Sequence, residues 1–254
     1  MAIRFDGRIT GPNDLSKYTE WAAVSADRLQ CVPDPIGQRG YVLRARRQVD
    51  DTPVRNGYRA EAYATGVKRL PPCVEWYEWE SLFLRSEFQQ GWPNPMIFLQ
   101  IHDDWSGGGA PHLPPVLIGI AEGAVYASVH SAATQNPALP SDIAEIVAVE
   151  DCPVVWDKWA RFVVRVKFAL DGTGEFDLWY DGARVCALRA IHNCYPDNAL
   201  YVQTGAYSGL DQLRSPVVEK AVYSTGVRIF NETTTHAEMG VSELISLCAQ
   251  GALR

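Results

Sequence analysis

Short runs of alternating hydrophobic and polar residues, separated by turn-forming residues, recur along most of the chain. In the clearest run, residues 159–168, every second position from Ala160 is hydrophobic, and Arg161 and Arg165 fall between. This period-two pattern predicts a half-buried antiparallel strand. Asp171-Gly172 and Asp181-Gly182 come next, and Asp-Gly between such runs is typical of tight hairpins. We therefore predict a meander of three strands through residue 189.

Similar runs predict a mostly β protein with a different tail. Further strands are predicted at residues 4–10, 21–32, 41–49, 56–64, 76–85, 98–102, 116–120, 125–130, 198–207 and 217–230. We predict a hairpin across Glu122-Gly123 and a loop at 131–141. Thr235 and Glu238 have capping-box spacing. Hydrophobic residues then recur at helical spacing before Gly251, at Val241, Leu244, Ile245 and Cys248.

These elements predict an all-β fold, an antiparallel β-sandwich of the jelly-roll, concanavalin-like kind. We expect this domain to span residues 1–230 and a tail with a short C-terminal helix to span residues 231–254. A chain of 254 residues with 47% hydrophobic content buries a full core. Sandwiches of this size are commonly one domain.

Charge and hydropathy exclude several classes of partner. The formal net charge of -7 argues against a nucleic-acid binder that relies on a general basic field, and it leaves a local basic cleft open. No hydrophobic run is long enough for a membrane-spanning helix, so we expect no membrane insertion. The start, residues 1–7, has no hydrophobic signal-peptide core, so we expect synthesis in the cytoplasm without export by the usual route.

The cysteines and histidines indicate no metal or redox centre. The six cysteines are scattered without a C-x-x-C pair, so we expect most to be reduced, and Cys186 with Cys194 is the candidate pair for a disulfide. His112 and His192 have no second ligand at metal-binding spacing. Asp103-Asp104 could contact calcium, although adjacent acids at a strand end are usually solvated. We expect no cofactor.

The strand ending at His102 carries an unusual pair of polar side chains. Alternation would place the odd positions from Ile97 to Ile101 in the core, and Phe98, Gln100 and His102 together on the other face. An ordinary amphipathic strand more often carries Lys, Glu, Thr or Ser on its polar face. Taken alone, this pair is usually only an exposed polar face.

Two other strands carry comparable faces. Around Arg59, alternation places Glu61 and Tyr63 on the same side and three alanines on the other. Arg59 with Glu61 is, taken alone, usually an ordinary ion pair. Tyr201, Gln203, Gly205 and Tyr207 also share one face.

The order of these segments resembles a known family. Arg59-Ala-Glu61, Gln100-Ile-His102, Trp159 ahead of the Asp181-Gly182 hairpin, and the segment 201–207 are similar in order and spacing to the jelly-roll polysaccharide lyases, the heparin lyase I and alginate or glucuronan lyase group. The resemblance covers about residues 3–230. It implies that these strands line one groove and that uronate-containing polysaccharides are cut there by β-elimination.

The resemblance also implies roles for individual residues. Holding the substrate carboxylate as charge develops needs neutral or cationic donors, which suits Gln100 and Arg59. His102 would be a second donor or the base, and Tyr207 matches the tyrosine that exchanges protons with the substrate. Gln203 stands where the family has lysine, which removes a cation. The candidate catalytic residues are His102, Tyr207, Gln100 and Arg59, and the candidate substrate-binding residues are Glu61, Tyr63, Tyr201 and Gln203.

Two classes of function therefore remain open. The first is a lyase acting on an acidic cell-surface polysaccharide. The second is a carbohydrate-binding adhesin without catalysis, such as a spike, fibre or tail component of a phage or phage-like particle that recognises capsule polysaccharide. In that second class the C-terminal helix would serve attachment to the virion or homo-oligomerisation.

Overall fold

Two antiparallel β-sheets pack face to face in the computed structural model, which confirms the predicted β-sandwich. The structure describes residues 2–48, 51–55, 57–88, 96–104, 113–135, 137, 139–209 and 220–242. One sheet has nine strands and the other has seven within these ranges.

The nine-stranded sheet runs in the order β13-β12-β11-β6-β15-β4-β3, with β16 paired to β6 and β1 paired to β16. Its strands are β1 (Ile3–Asp6), β3 (Leu29–Pro33), β4 (Tyr41–Arg47), β6 (Cys73–Leu82), β11 (Trp159–Phe168), β12 (Gly174–Tyr180), β13 (Ala183–Ile191), β15 (Lys220–Ser224) and β16 (Arg228–Phe230).

The seven-stranded sheet runs in the order β10-β9-β8-β7-β14-β5-β2. Its strands are β2 (Glu20–Ala23), β5 (Gly57–Tyr63), β7 (Met96–Asp103), β8 (Val116–Ala121), β9 (Ala124–Ser131), β10 (Ala144–Pro153) and β14 (Leu200–Gly209). β14 lies between β5 and β7, so three segments that are distant in sequence become neighbours.

The core between the sheets is rich in aromatic side chains. Trp79 stacks on Phe162 with ring centroids 5.1 Å apart, and Phe98 lies 5.2 Å from Phe162. All three side chains are almost fully buried. Because Trp79 and Phe162 come from one sheet and Phe98 from the other, this cluster joins the two layers.

The predicted hairpins are confirmed. Asp181 and Gly182 both have positive φ, 49° and 83°, as a type I′ turn requires, and β12 pairs with β13 across them. Glu122 and Gly123 do the same between β8 and β9. The turn after β11 is longer, because residues 169–173 connect the strands and only Gly172 has positive φ there.

Several predicted strands differ from the observed ones. The run at 21–32 is two strands, β2 and β3, and the run at 217–230 is β15 and β16, with residues 217–219 outside the described ranges. Gly226 interrupts the second run, because its φ is +81° and a Cβ there would lie 2.1 Å from the Gly7 carbonyl oxygen. β10 was not predicted at all; it is a sheet edge whose side chains are mostly exposed.

The tail begins with the predicted capping box. Thr235 accepts a hydrogen bond from the Glu238 backbone N–H, and α1 (His236–Met239) follows. The helix ends at Gly240, which has the left-handed conformation, so the expectation that Val241 is helical is wrong. Leu244, Ile245 and Cys248 lie outside the described residues.

The tail packs on the outer face of the nine-stranded sheet. Met239 and Val241 join a cluster with Trp76 and Trp179, whose side chains point away from the main core. The Trp179 indole N–H donates to the Ser242 carbonyl oxygen at 2.5 Å. These contacts attach the helix to its own domain.

Cys186 and Cys194 are free thiols in the structure, so the candidate disulfide is not formed. Both side chains are buried, and burial raises the pKa of each thiol to about 12. Within the described residues, no helix is long and apolar enough to cross a membrane.

Candidate functional site

The eight predicted site residues lie together on the outward side of the seven-stranded sheet. The backbone register aligns Gln203 with Tyr63 on one side and Gln100 on the other. We call this surface the site face, and it carries Arg59, Glu61 and Tyr63 of β5, Gln100 and His102 of β7, and Tyr201, Gln203 and Tyr207 of β14.

A bulge in β7 corrects one part of the prediction. The register against β8 shifts between Ile97 and Leu99, so Phe98 has no direct partner and joins Leu99 on the core side. Phe98 was expected beside Gln100, and that placement is wrong. Ile97 was expected in the core, and it lies opposite Tyr207 instead. Bulges of this kind redirect side chains near functional sites.

A buried carboxyl group organises the centre of the site face. The Gln100 side-chain amide donates a hydrogen bond to Glu61 Oε1, and Arg59 Nη1 lies 3.5 Å from Glu61 Oε2. Glu61 is only 1% exposed, and burial raises its pKa while Arg59 and Gln100 oppose that rise. Because Glu61 is so deeply buried, its contacts orient the amide and the guanidinium beside it.

Three buried polar atoms of the site face have no hydrogen-bond partner among the described residues. They are Arg59 Nε, Glu61 Oε2 and Gln203 Oε1. Such atoms carry a desolvation penalty of about 1–3 kcal/mol each. Buried polar atoms of this kind are positions at which water or a bound molecule can supply the hydrogen bond.

Tyr207 occupies one end of the site face. The Arg59 guanidinium lies 4.6 Å from its ring centroid. The ring fits over β5 because Gly57 has no side chain: a Cβ there would lie 2.3 Å from Tyr207 Cε2. Gly205 permits a similar close approach, since its φ is +148° and its Cβ would lie 2.1 Å from the Ala60 carbonyl oxygen.

His102 occupies the other end and is paired with Tyr201. Their rings are nearly parallel with centroids 5.6 Å apart, and His102 Nδ1 lies 2.9 Å from both the backbone nitrogen and the carbonyl oxygen of Asp103. Gln203 Nε2 donates to the Tyr201 hydroxyl at 3.0 Å. Burial raises the pKa of Tyr201 above its usual range.

The two tyrosines of β14 therefore lie beside different neighbours. Tyr201 lies across from His102, whereas Tyr207 lies across from Arg59 and Ile97. Six positions of extended strand separate them, at most about 20 Å along the backbone. The phenol nearest His102 is that of Tyr201.

Two cations beside the site face were missed by the sequence reasoning. Lys68 Nζ lies 5.8 Å from the Tyr201 ring centroid and 2.8 Å from Asp104 Oδ2. The Arg55 guanidinium lies 5.4 Å from the Tyr63 ring centroid. Both residues lie just outside β5, where no alternation pattern marks them, so only the folded structure reveals their position.

A second polar group on the same side of the sheet was also missed. Tyr126 donates to Glu145 Oε1 at 2.9 Å, and His130 Nε2 lies 3.3 Å from the same oxygen. The hydrogen bond from His130 lowers the pKa of Glu145 to about 2. Tyr126 and His130 lie on β9, and β8 separates β9 from β7, so this group lies two strands from β7.

The candidate calcium ligands have protein partners. Asp103 accepts a hydrogen bond from Asn198 at 2.6 Å, and Asp104 forms the ion pair with Lys68. No group of three or more potential metal ligands occurs in the part of the chain that the structure describes. His112 lies outside that part.

The fold and the site face define a β-sandwich protein with a cluster of polar and aromatic side chains on the outward side of one sheet. The chain belongs to the polysaccharide lyase family, whose model matches residues 10–232. A search of curated protein sequences finds no match.

Solved structures with the same fold include several lyases. An endo-β-1,4-glucuronan lyase from the fungus Trichoderma reesei superposes with a TM-score of 0.73 at 19% identity, covering 93% of this chain and 98% of that one. An alginate lyase from Aplysia kurodai gives 0.56 at 9%, covering 91% and 97%. An alginate lyase from a Chlorella virus gives 0.51 at 15%, covering 80% and 89%. At these identities, the likeness is one of fold.

Proposed function

We propose that the protein is a lyase that cuts a uronate-containing polysaccharide by β-elimination on the site face. The observation that carries the proposal is the alignment of Gln203 with Gln100, flanked by the Arg59–Tyr207 and His102–Tyr201 pairs. Membership of the polysaccharide lyase family supports the reaction class.

The reaction sets the demands on these side chains. A base removes the proton at C5 of the uronate, the electron pair forms the C4=C5 double bond, and the C4–O4 bond breaks. The departing O4 then takes a proton from an acid. The adjacent carboxylate makes the first step difficult, so donors must stabilise the charge that develops on it.

Arg59 and Gln100 are the proposed carboxylate donors. Glu61 holds the Gln100 amide by one N–H, which leaves the second N–H of that amide for a ligand. Arg59 is only partly exposed, so its charge is less screened by water than that of a surface arginine. A preorganised pair of donors of this kind stabilises the intermediate more than the ground state.

The proton transfers are assigned to His102 and the tyrosines. His102 is the proposed base: with its proton on Nδ1, toward the Asp103 carbonyl oxygen at 2.9 Å, its Nε2 lone pair can accept the C5 proton. Tyr201 is protonated at neutral pH, as phenols ordinarily are, and burial raises its pKa further, so it carries the proton that the departing O4 needs. Tyr207 is the proton-exchanging residue that the family resemblance implies, so the two phenols are separate candidates for the role.

Gln203 replaces the family lysine, and Lys68 is the proposed substitute for the missing charge. Its ammonium group lies at the His102 end, beside Tyr201. Its ion pair with Asp104 is partly exposed, so the ammonium group can exchange that partner for the carboxylate of a sugar bound next to the reacting one. Glucuronan is the first polymer to test, because the structural neighbour with the 0.73 TM-score is a glucuronan lyase.

Binding without cleavage is a second candidate function, and Gln203 is the observation that favours it. A neutral amide donates hydrogen bonds to a sugar but stabilises a developing dianion less than an ammonium group. If the protein binds without cleaving, the site face would bind an acidic polysaccharide and the protein would be a carbohydrate-binding adhesin.

Ultraviolet absorbance of the new double bond separates the two candidates. The full chain is incubated with glucuronan, alginate, heparin and bacterial capsule polysaccharides. A lyase produces absorbing unsaturated ends on at least one polymer, and Tyr201→Phe and Tyr207→Phe identify which phenol is needed. No absorbance from any polymer, together with measurable polymer binding that Gln100→Ala weakens, would replace the lyase proposal with the binding one.

A further inference from the structure

A cavity of about 410 Å³ opens on the nine-stranded sheet, opposite the site face. Its charged lining consists of Arg8, Arg39, Arg161, Arg228, Glu78 and Glu80. The glutamates alternate along β6 with Tyr77 and Trp79, which belong to the core, so their side chains point away from the core. Its volume lies within the range of roughly 300–1,000 Å³ that is usual for small-ligand sites.

The carboxylates of this cavity hold the arginines in place. Glu78 accepts from Arg161 Nε at 2.8 Å and from Arg228. Glu80 accepts two hydrogen bonds from Arg39, from Nε and Nη2, each at 2.8 Å. Long cationic side chains that are fixed in this way lose little further freedom when a ligand binds.

The lining charges leave a positive surplus. Four guanidinium groups against the two lining carboxylates and the Asp6 carboxylate that pairs with Arg8 give a local balance of +1, in a chain whose net charge is -7. The Arg8 side chain pairs with Asp6, outside the lining, and both are partly exposed. Each guanidinium has five N–H donors. The hydrogen bonds found among the described residues use at most three of the five on any of these arginines.

We propose that this cavity is a second binding site, and that its ligand is a short saccharide bearing a carboxylate. Guanidinium groups bind carboxylates through paired hydrogen bonds. Fixed Glu and Arg side chains together also accept from and donate to sugar hydroxyls. The ligand class follows from this cavity alone and does not require cleavage on the site face.

Calorimetric titration with a glucuronic acid trimer tests the site. The titrated protein is the full chain carrying Gln100→Ala and His102→Ala, which disable the site face. We expect binding to persist and to weaken at least tenfold when Arg39→Gln is added. Arg189→Gln is the matched control, because Arg189 is an exposed arginine of the same sheet, paired with Asp177 and outside the cavity. This control is expected to leave the affinity unchanged.

The proposal is overturned if Arg39→Gln leaves the affinity for the trimer unchanged, or if Arg189→Gln lowers that affinity as much as Arg39→Gln does. It is also overturned if inorganic sulfate or a neutral glucose trimer binds as tightly as the glucuronic acid trimer. If Arg39→Gln does not fold, as judged by thermal unfolding, Arg8→Gln replaces it. Cleavage by the wild-type site face is measured separately. A negative result in either experiment therefore leaves the other interpretable.

Discussion

Gly57→Ala tests the placement of Tyr207 without changing any polar group. Gly57 does not have the positive φ that only glycine tolerates well, so alanine suits its backbone. The added Cβ would lie 2.3 Å from Tyr207 Cε2 and 3.2 Å from Arg59 Nη2. Because a carbon–carbon contact needs about 3.5 Å, the ring has to move by roughly 1.2 Å.

The expected effect on activity is large and the expected effect on stability is small. A displacement of about 1 Å in a catalytic group can lower the rate about 10²-fold, which corresponds to about 2.7 kcal/mol of transition-state stabilisation. Overpacking costs about 1–3 kcal/mol, and replacing a strand glycine by alanine offsets about 0.5–1 kcal/mol of that. The variant should therefore fold and lose most of its activity.

The assay is the rate of ultraviolet absorbance increase on the preferred polymer, together with a denaturant unfolding curve. Gly11→Ala is the matched control, because a Cβ there meets nothing within 4 Å. In a Tyr207→Ala background, Gly57→Ala should cause no further loss. Full activity of Gly57→Ala, or an additional loss without the Tyr207 ring, would refute the assigned position of Tyr207.

Three further predictions concern charge and packing. Lys68→Met should lower kcat/KM up to about fivefold, as expected for loss of one partly exposed ionic attraction to the substrate. Lys167→Met on the opposite sheet should have no such effect, and equal effects would remove Lys68 from the site. Phe98→Ala should destabilise the fold by about 3–5 kcal/mol in denaturant titrations, and a cost below about 1 kcal/mol would place Phe98 outside the core. Burial lowers the pKa of Lys220 to about 7, and the charge of Arg47 adds to the effect. Below pH 7 the folded protein therefore carries the free-energy cost of a buried ammonium group. This cost falls as the pH rises from 7 toward 10.5, the ordinary pKa of lysine. Lys220→Met should thus be more stable than wild type at pH 6, with a gap that narrows by pH 10; a constant gap would contradict the shift.

Local chemistry made the meander and the hairpins predictable. Asp181-Gly182 and Glu122-Gly123 fix tight turns whose backbone angles few other residues adopt. Flanking strands with clear alternation then pair in only one register. The edge strand β10 was missed because most of its side chains face solvent, so burial does not impose a pattern on it.

The faces of the site were predictable, but its contacts were not. Alternation alone placed Gln100 with His102, and Arg59 with Glu61, on shared faces. The bulge at Phe98 depends on how β7 pairs with β8, which no local pattern specifies. The pairing of His102 with Tyr201 likewise depends on the register between β7 and β14. The proximity of Lys68 depends on tertiary packing.

The most direct test of the site face is the effect of His102→Ala on both binding and cleavage of the preferred polysaccharide. Glucuronan is the first polymer to use, with release of unsaturated ends as the measure of cleavage and calorimetry as the measure of affinity. The account predicts that cleavage falls by at least about 10²-fold, as expected for removal of a general base, while the protein stays folded and still binds the polymer. Unchanged cleavage and unchanged binding in this variant would contradict the assignment of the site.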